Sequence, residues 1–96
     1  MEIYLEALRS YADNMPEELG KVGDVCGQAL PAYTIGIHSI KSSSANIGAK
    51  DLAAMAKEME DLAKTGDLAR VLAGNHKFIE AAKVLVADIK AWLKTL

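Results

Sequence analysis

Apolar residues along this chain recur at spacings of three and four, as expected for helices that each turn one face toward a core. The first stripe is Ile3, Leu5, Leu8 and Tyr11, resuming at Met15, Leu19, Val22 and Val25. It predicts a helix from about Glu2 to Gln28 with Pro16 inside it. Proline removes an amide donor and crowds the preceding turn, so this helix is expected to be kinked or broken near Pro16. Two segments meeting at Asp13–Pro16 are the other arrangement the pattern allows. A second helix starts at Pro31, a good first-turn residue, and ends before Gly48, a good C-terminal cap. Its inward stripe reads Tyr33, Ile37, Ile40, Ser44 and Ile47. A third follows at once, with Asp51, Leu52, Met55, Ala56, Met59, Leu62 and Ala63 at helical spacing. Thr65–Gly66–Asp67 stops it and leaves Asp67 to cap the next helix. The fourth runs from Leu68 to about Lys94. Its stripe is Leu68, Val71, Leu72, Asn75, Phe78, Ile79, Ala82, Leu85, Val86, Ile89 and Leu93, with Gly74–Asn75 as a weak point.

No strand alternation, internal repeat or low-complexity linker interrupts this pattern, so residues 1–96 read as a single domain. Connections this short make neighbouring helices antiparallel. The expected fold is all-α, an antiparallel up-down four-helix bundle. Composition agrees: 51% of residues are apolar and only 5% are aromatic, which favours helix on helix over a sheet. Alanine-rich stripes let the axes approach closely.

The charge balance narrows the partners. Eleven Lys and Arg are interspersed with thirteen Asp and Glu, without a basic stripe, which argues against nucleic acid. Apolar runs such as Val84 to Ala87 are far too short to span a membrane. No charged-then-apolar leader opens the chain. One cysteine, Cys26, has no partner for an internal disulfide. It fits a reducing compartment and the role of a small buried hydrophobe, so a cytoplasmic location is expected.

The stretch HSIKSSSANIGA, His38 to Ala49, is the one that packing alone does not account for. His38 is one residue past the core position Ile37, hence rotated by about 100° from it. It shares its face with Thr34, Ile35, Lys41, Ser42 and Ala45, which are polar or small apart from Ile35. Little bulk surrounds the ring, so another macromolecule can approach it. Serines are poorer helix formers than alanine or leucine, so three in a row are not a choice for stability alone. If the second and third helices turn about Gly48–Ala49, His38 and Glu60 both lie about 16 Å from the turn at 1.5 Å per residue, level with each other. Glu60, beside the core residue Met59, is expected on the rim of its stripe, leaning toward His38. Lys57 shares that face one turn away. A carboxylate that accepts from Nδ1–H leaves Nε2 unprotonated and outward, as a nucleophile requires. Lys41 and the Ser42 hydroxyl, each about one turn from His38, could meet the oxygens of a transferring phosphoryl group. Ile35, flanked by Thr34 and small residues such as Ala45, offers a modest apolar patch for docking.

The run His38–x–Ile40–Lys41–x–Ser43–Ser44–x–x–Ile47–Gly48–Ala49 resembles the signature of histidine phosphotransfer (HPt) domains of multistep phosphorelays, H-x-L/I-K-G-S/A-S/A-x-x-L/I-G-A/L. The resemblance extends more weakly to Lys57–Glu58–Met59–Glu60–Asp61–Leu62. It implies that His38 accepts a phosphoryl group from a receiver-domain aspartate and relays it to another receiver. It also implies no kinase activity and no intrinsic cofactor, with Mg2+ on the partner receiver only. The partners it implies are receiver domains and an upstream hybrid histidine kinase, and the domain itself is expected to be a monomer. HSIK and MEDL are also similar to the phosphoacceptor domain of chemotaxis-type histidine kinases, in which a glutamate on the next helix partners the histidine. One departure stands out: Ser42 replaces the family's glycine, where it either crowds a docking receiver or adds a hydrogen bond. The family often has a further short N-terminal helix, so the chain reads as a module excised from a longer hybrid signalling protein.

Two other readings compete. A non-catalytic helical interaction module would make His38 incidental and Lys41, Lys57 and Glu60 a surface charge network. A metal site built from His38, Glu60 and His76 lacks ligand spacing, since no Glu-x-x-His motif or i, i+4 histidine pair exists. No metal is therefore expected, and His76 reads as a surface residue.

Overall fold

In a computed structural model, which describes residues 2–23 and 30–96 with side chains from residue 5 on, four helices follow one another. They are α1 (Glu2–Gly23), α2 (Leu30–Asn46), α3 (Lys50–Lys64) and α4 (Leu68–Leu93). Each helix packs on its neighbour in the chain, and α1 packs on α4 to close a four-helix bundle. The expectations for the Ile3 side chain, Val25, Cys26 and a helix end at Gln28 lie outside the described residues.

Two glycines set the connections. Gly48 and Gly66 adopt φ of +81° and +77°, a region that side chains with a Cβ rarely enter. At the end of α2, the Ala49 amide donates to the Ser44 carbonyl (2.9 Å) and Gly48 to Ala45 (3.1 Å). At the end of α3, Asp67 donates to Leu62 (3.3 Å) and Gly66 to Ala63 (3.0 Å). Both are Schellman motifs, which satisfy carbonyls that a helix end otherwise leaves unpaired. In each, the residue after the glycine is already the N-cap of the next helix, Ala49 for α3 and Asp67 for α4. Asp67 caps with its side chain, accepting from the Arg70 amide at 3.2 Å. Turns this tight leave no slack in the register between helices. Gly48→Ala is therefore expected to cost about 1–2 kcal/mol, the penalty for a Cβ in the left-handed region. Chemical denaturation of the two proteins checks it.

The predicted stripes form the core. Leu8, Tyr11, Met15, Leu19 and Val22 of α1 are buried, as are Tyr33, Ile37, Ile40, Ser44 and Ile47 along and just after α2. Leu52, Ala56, Met59 and Ala63 of α3 meet Val71, Phe78, Ala82, Val86 and Ile89 of α4. Two expectations are corrected. First, α1 runs unbroken through Pro16 rather than dividing into two segments. A mid-helix proline costs about 3 kcal/mol. Met15, Leu19 and Val22 keep the register of Leu8 and Tyr11, and each such burial contributes about 1.5–3 kcal/mol. The core outweighs the proline. Second, Leu72 is 51% exposed. It lies one residue past Val71, and Val71, Asn75 and Phe78 already fill the inward face of α4.

The polar residues in the stripes find partners across the bundle. The Tyr11 hydroxyl bonds the Ser44 hydroxyl at 2.8 Å. The Tyr33 hydroxyl donates to Asn75 Oδ1 (2.8 Å), while Asn75 Nδ2 donates to the Val22 carbonyl (2.9 Å) near the end of α1. Burial pushes the Tyr33 phenol up to about 12, so it stays a donor at all ordinary pH. This chain of bonds ties α1, α2 and α4 together. Gly74, a weak point by propensity, serves packing: a Cβ there would lie 2.9 Å from Met59 Sδ.

Candidate functional site

The α2–α3 hairpin brings together residues far enough apart in sequence to lie on different helices. His38, one step off the core position Ile37, keeps its side chain 59% exposed. On the facing helix Glu60 follows the core residue Met59. The expectation placed it on the rim, but the residue is only 2% exposed. A carboxylate held that deeply needs donors on both oxygens. Lys41 Nζ lies 2.6 Å from Oε1, and His38 Nδ1 lies 2.8 Å from Oε2. Lys64 Nζ, one turn along α3, stands 3.7 Å from Oε2. Glu60, expected to lean toward the ring, is in direct hydrogen-bond contact with it.

The electrostatics follow from these contacts. The Lys41 ammonium, hydrogen-bonded to Oε1, holds the Glu60 carboxyl below the ordinary 4.5. Burial acts the other way, and the His38 hydrogen bond together with the charges of Lys41 and Lys64 adds to the lowering. Glu60 is therefore an anion at neutral pH and can only accept. In the neutral ring the proton then sits on Nδ1, and the Nε2 lone pair is free. What the arrangement can do chemically is present a histidine nucleophile, oriented from behind by a buried anion, on an exposed helix face.

The other expected residues divide. Lys57 is exposed and forms no hydrogen bond or ion pair among the described residues, whereas Lys64 pairs with Glu60. The second ammonium of the cluster is Lys64, which the sequence reading missed. Its signal was available in the i, i+4 spacing from Glu60, with the acid N-terminal to the base. Lys41 is turned toward Glu60, so its ammonium serves that carboxylate before any ligand.

Of the three serines, Ser42 is exposed beside His38, Ser43 is half-buried, and Ser44 is the core residue bonded to Tyr11. Only one of them opens the face around the ring. Ala45 is exposed too. The Thr34 hydroxyl donates to the Leu30 carbonyl at 2.8 Å, which commits it to its own helix. Ile35, 74% exposed, lines a groove of about 480 Å³ between α1 and α2, with Glu18 and Lys21 on the far side. His76 is exposed on α4, and no three His, Cys, Asp or Glu side chains among the described residues are grouped to hold a metal ion.

No helix among the described residues is long and apolar enough to cross a membrane. No curated protein and no solved structure matches the chain. The match comes from a protein family: over residues 1–93 the sequence fits the Hpt domain family, whose members are phosphocarrier modules that meet receiver domains in phosphorelays, and the chain belongs to that family.

Proposed function

We propose that His38 is the phosphoacceptor of this domain, taking a phosphoryl group from a receiver aspartyl phosphate and passing it to another receiver. The observation that carries this reading is the 2.8 Å contact from Nδ1 to the buried Glu60 carboxylate, with the other edge of the ring exposed. The Nε2 lone pair attacks phosphorus, the bond from phosphorus to the aspartyl oxygen breaks, and aspartate leaves as a carboxylate. The ring gains positive charge as the bond forms, and Glu60 stabilises it through Nδ1–H without taking the proton. Lys41 meets the phosphoryl oxygens. Ser42 borders the same edge, while Thr34, Ile35 and Ala45 belong to the surface on which a receiver docks. Magnesium belongs to the receiver, and the domain works in the cytoplasm as a carrier without a nucleotide site.

The carboxylate partner favours one second reading, the phosphoacceptor domain of a chemotaxis-type kinase. There the donor is ATP bound to a kinase domain rather than an aspartyl phosphate. Incubation with a phosphorylated receiver, and separately with acetyl phosphate, tests the first reading. The expected label is acid-labile and base-stable, as a phosphoramidate is. Failure of every receiver to label the domain, with labelling by a kinase core and ATP, would select the second.

A further inference from the structure

Glu60 carries two lysines, and the pair is unequal. Lys41 makes a short bond to Oε1 and is 28% exposed, while Lys64 stands farther off Oε2 and is 60% exposed. One hydrogen-bonded ammonium, together with Nδ1–H, is enough to satisfy a carboxylate at rest. The second is therefore not required by the resting site. It matters when the first one leaves.

Phosphoryl transfer as read above asks two things of Lys41. It must balance Glu60, and it must reach oxygens that arrive at the outer edge of a ring one helical turn away. Moving toward the phosphoryl group lengthens the Oε1 contact. A carboxylate this buried would then lose its nearest countercharge, and uncompensated buried charge is costly. Lys64 lies on the same carboxylate, on a different helix from Lys41, and on the oxygen that also accepts from His38. It is free to shorten its contact, because its long side chain is mostly in water.

We propose that Lys64 is a positioning residue of the transfer reaction: it takes over the charge of Glu60 while Lys41 turns to the phosphoryl group on His38. The proposal rests on His38 as phosphoacceptor and deepens that reading. Lys64 itself touches neither the ring nor the phosphoryl group. Its effect on the rate runs through Lys41, so its loss slows transfer only while Lys41 is present. With Lys41 gone, Lys64 balances Glu60 equally in the resting and reacting states, and its loss is read in Tm instead.

A double-mutant cycle reads this directly. Transfer from a phosphorylated receiver is timed for the wild type, Lys64→Gln, Lys41→Gln and the double variant, with Tm measured for each. Lys64→Gln is expected to slow transfer roughly two- to fivefold, the range for a partly exposed charge pair, with Tm nearly unchanged. In the Lys41→Gln background the same change is expected to alter the rate by less than about 1.5-fold, an effect too small to count as coupling to transfer. Lys64→Arg, which keeps the charge, should restore most of the loss. Equal slowing in both backgrounds would overturn the proposal, since Lys64 would then act independently of Lys41. An unchanged rate in Lys64→Gln would overturn it as well. Absence of label on His38 in the wild type is a different result, and it would remove the phosphoacceptor reading beneath the proposal.

Discussion

His38→Gln is expected to abolish phosphoryl acceptance while leaving the bundle folded. The side chain is exposed and off the core stripe, so its replacement should change stability by less than about 0.5 kcal/mol. The glutamine amide can still donate to Glu60 Oε2, which keeps the buried carboxylate partnered. What disappears is the nucleophilic nitrogen. His76 is the other histidine of the chain; it is exposed on α4 and makes no hydrogen bond or ion pair among the described residues. Nothing there fixes a tautomer. Acid-labile label measured on wild type and variant decides the matter, and label remaining on His76 at the wild-type level would overturn the assignment to His38.

Glu60→Ala is expected to slow acceptance roughly a hundredfold, the order seen when one oriented electrostatic group is lost from a reacting centre. Without the carboxylate nothing holds the ring proton on Nδ1, so part of the population carries it on Nε2 and cannot attack. Nitrogen-15 shifts of His38 report that redistribution directly. The fold should survive, because the Lys41 and Lys64 ammoniums both have access to water once Glu60 is gone. Stability should also respond to acid, and the sign follows from the direction of the shift. The folded carboxyl is held below the ordinary 4.5, chiefly by its hydrogen bond from Lys41. The stability that ionised Glu60 contributes is thus fully present above about 4.5 and fades as pH falls through the lower folded value. Wild type and Glu60→Ala compared by denaturant unfolding from pH 7 to pH 3 should show a gap that shrinks only at the acid end. A gap constant across that range would mean Glu60 contributes no linkage.

The helices were legible because period and punctuation agree. Gly48 and Gly66 follow stripes at helical spacing, and each proved to be the left-handed residue of a helix stop. The pairing of His38 with Glu60 was legible for the same reason, since rise per residue measured from a fixed turn places both at one height. The depth of Glu60 was not. A residue one step from Met59 can lie at the rim or inside it, and which one depends on ammonium groups reaching it from two helices. Spacing alone also could not choose between Lys57 and Lys64, each about a turn from Glu60. The favoured order, acid before base, belongs to Lys64. Tyr33, Asn75 and Val22 illustrate a further limit. Their stripes put them inside, but bonds spanning 42 and 53 residues of sequence follow from the tertiary arrangement alone.

The tight turn at Gly48 bears on the order in which the molecule assembles. His38 and Glu60 are 22 residues apart, whereas the Asn75–Val22 bond that links α4 to α1 closes a loop of 53. Closing the shorter loop loses less chain entropy, and contacts local in sequence form faster than distant ones. The α2–α3 packing is also the most extensive in the bundle. The hairpin can therefore dock its two helices while α1 is still searching for α4, and the imidazole meets its carboxylate early. Substitutions in the α1–α4 seam should then appear mainly as faster unfolding, whereas those at Gly48 should slow the folding limb.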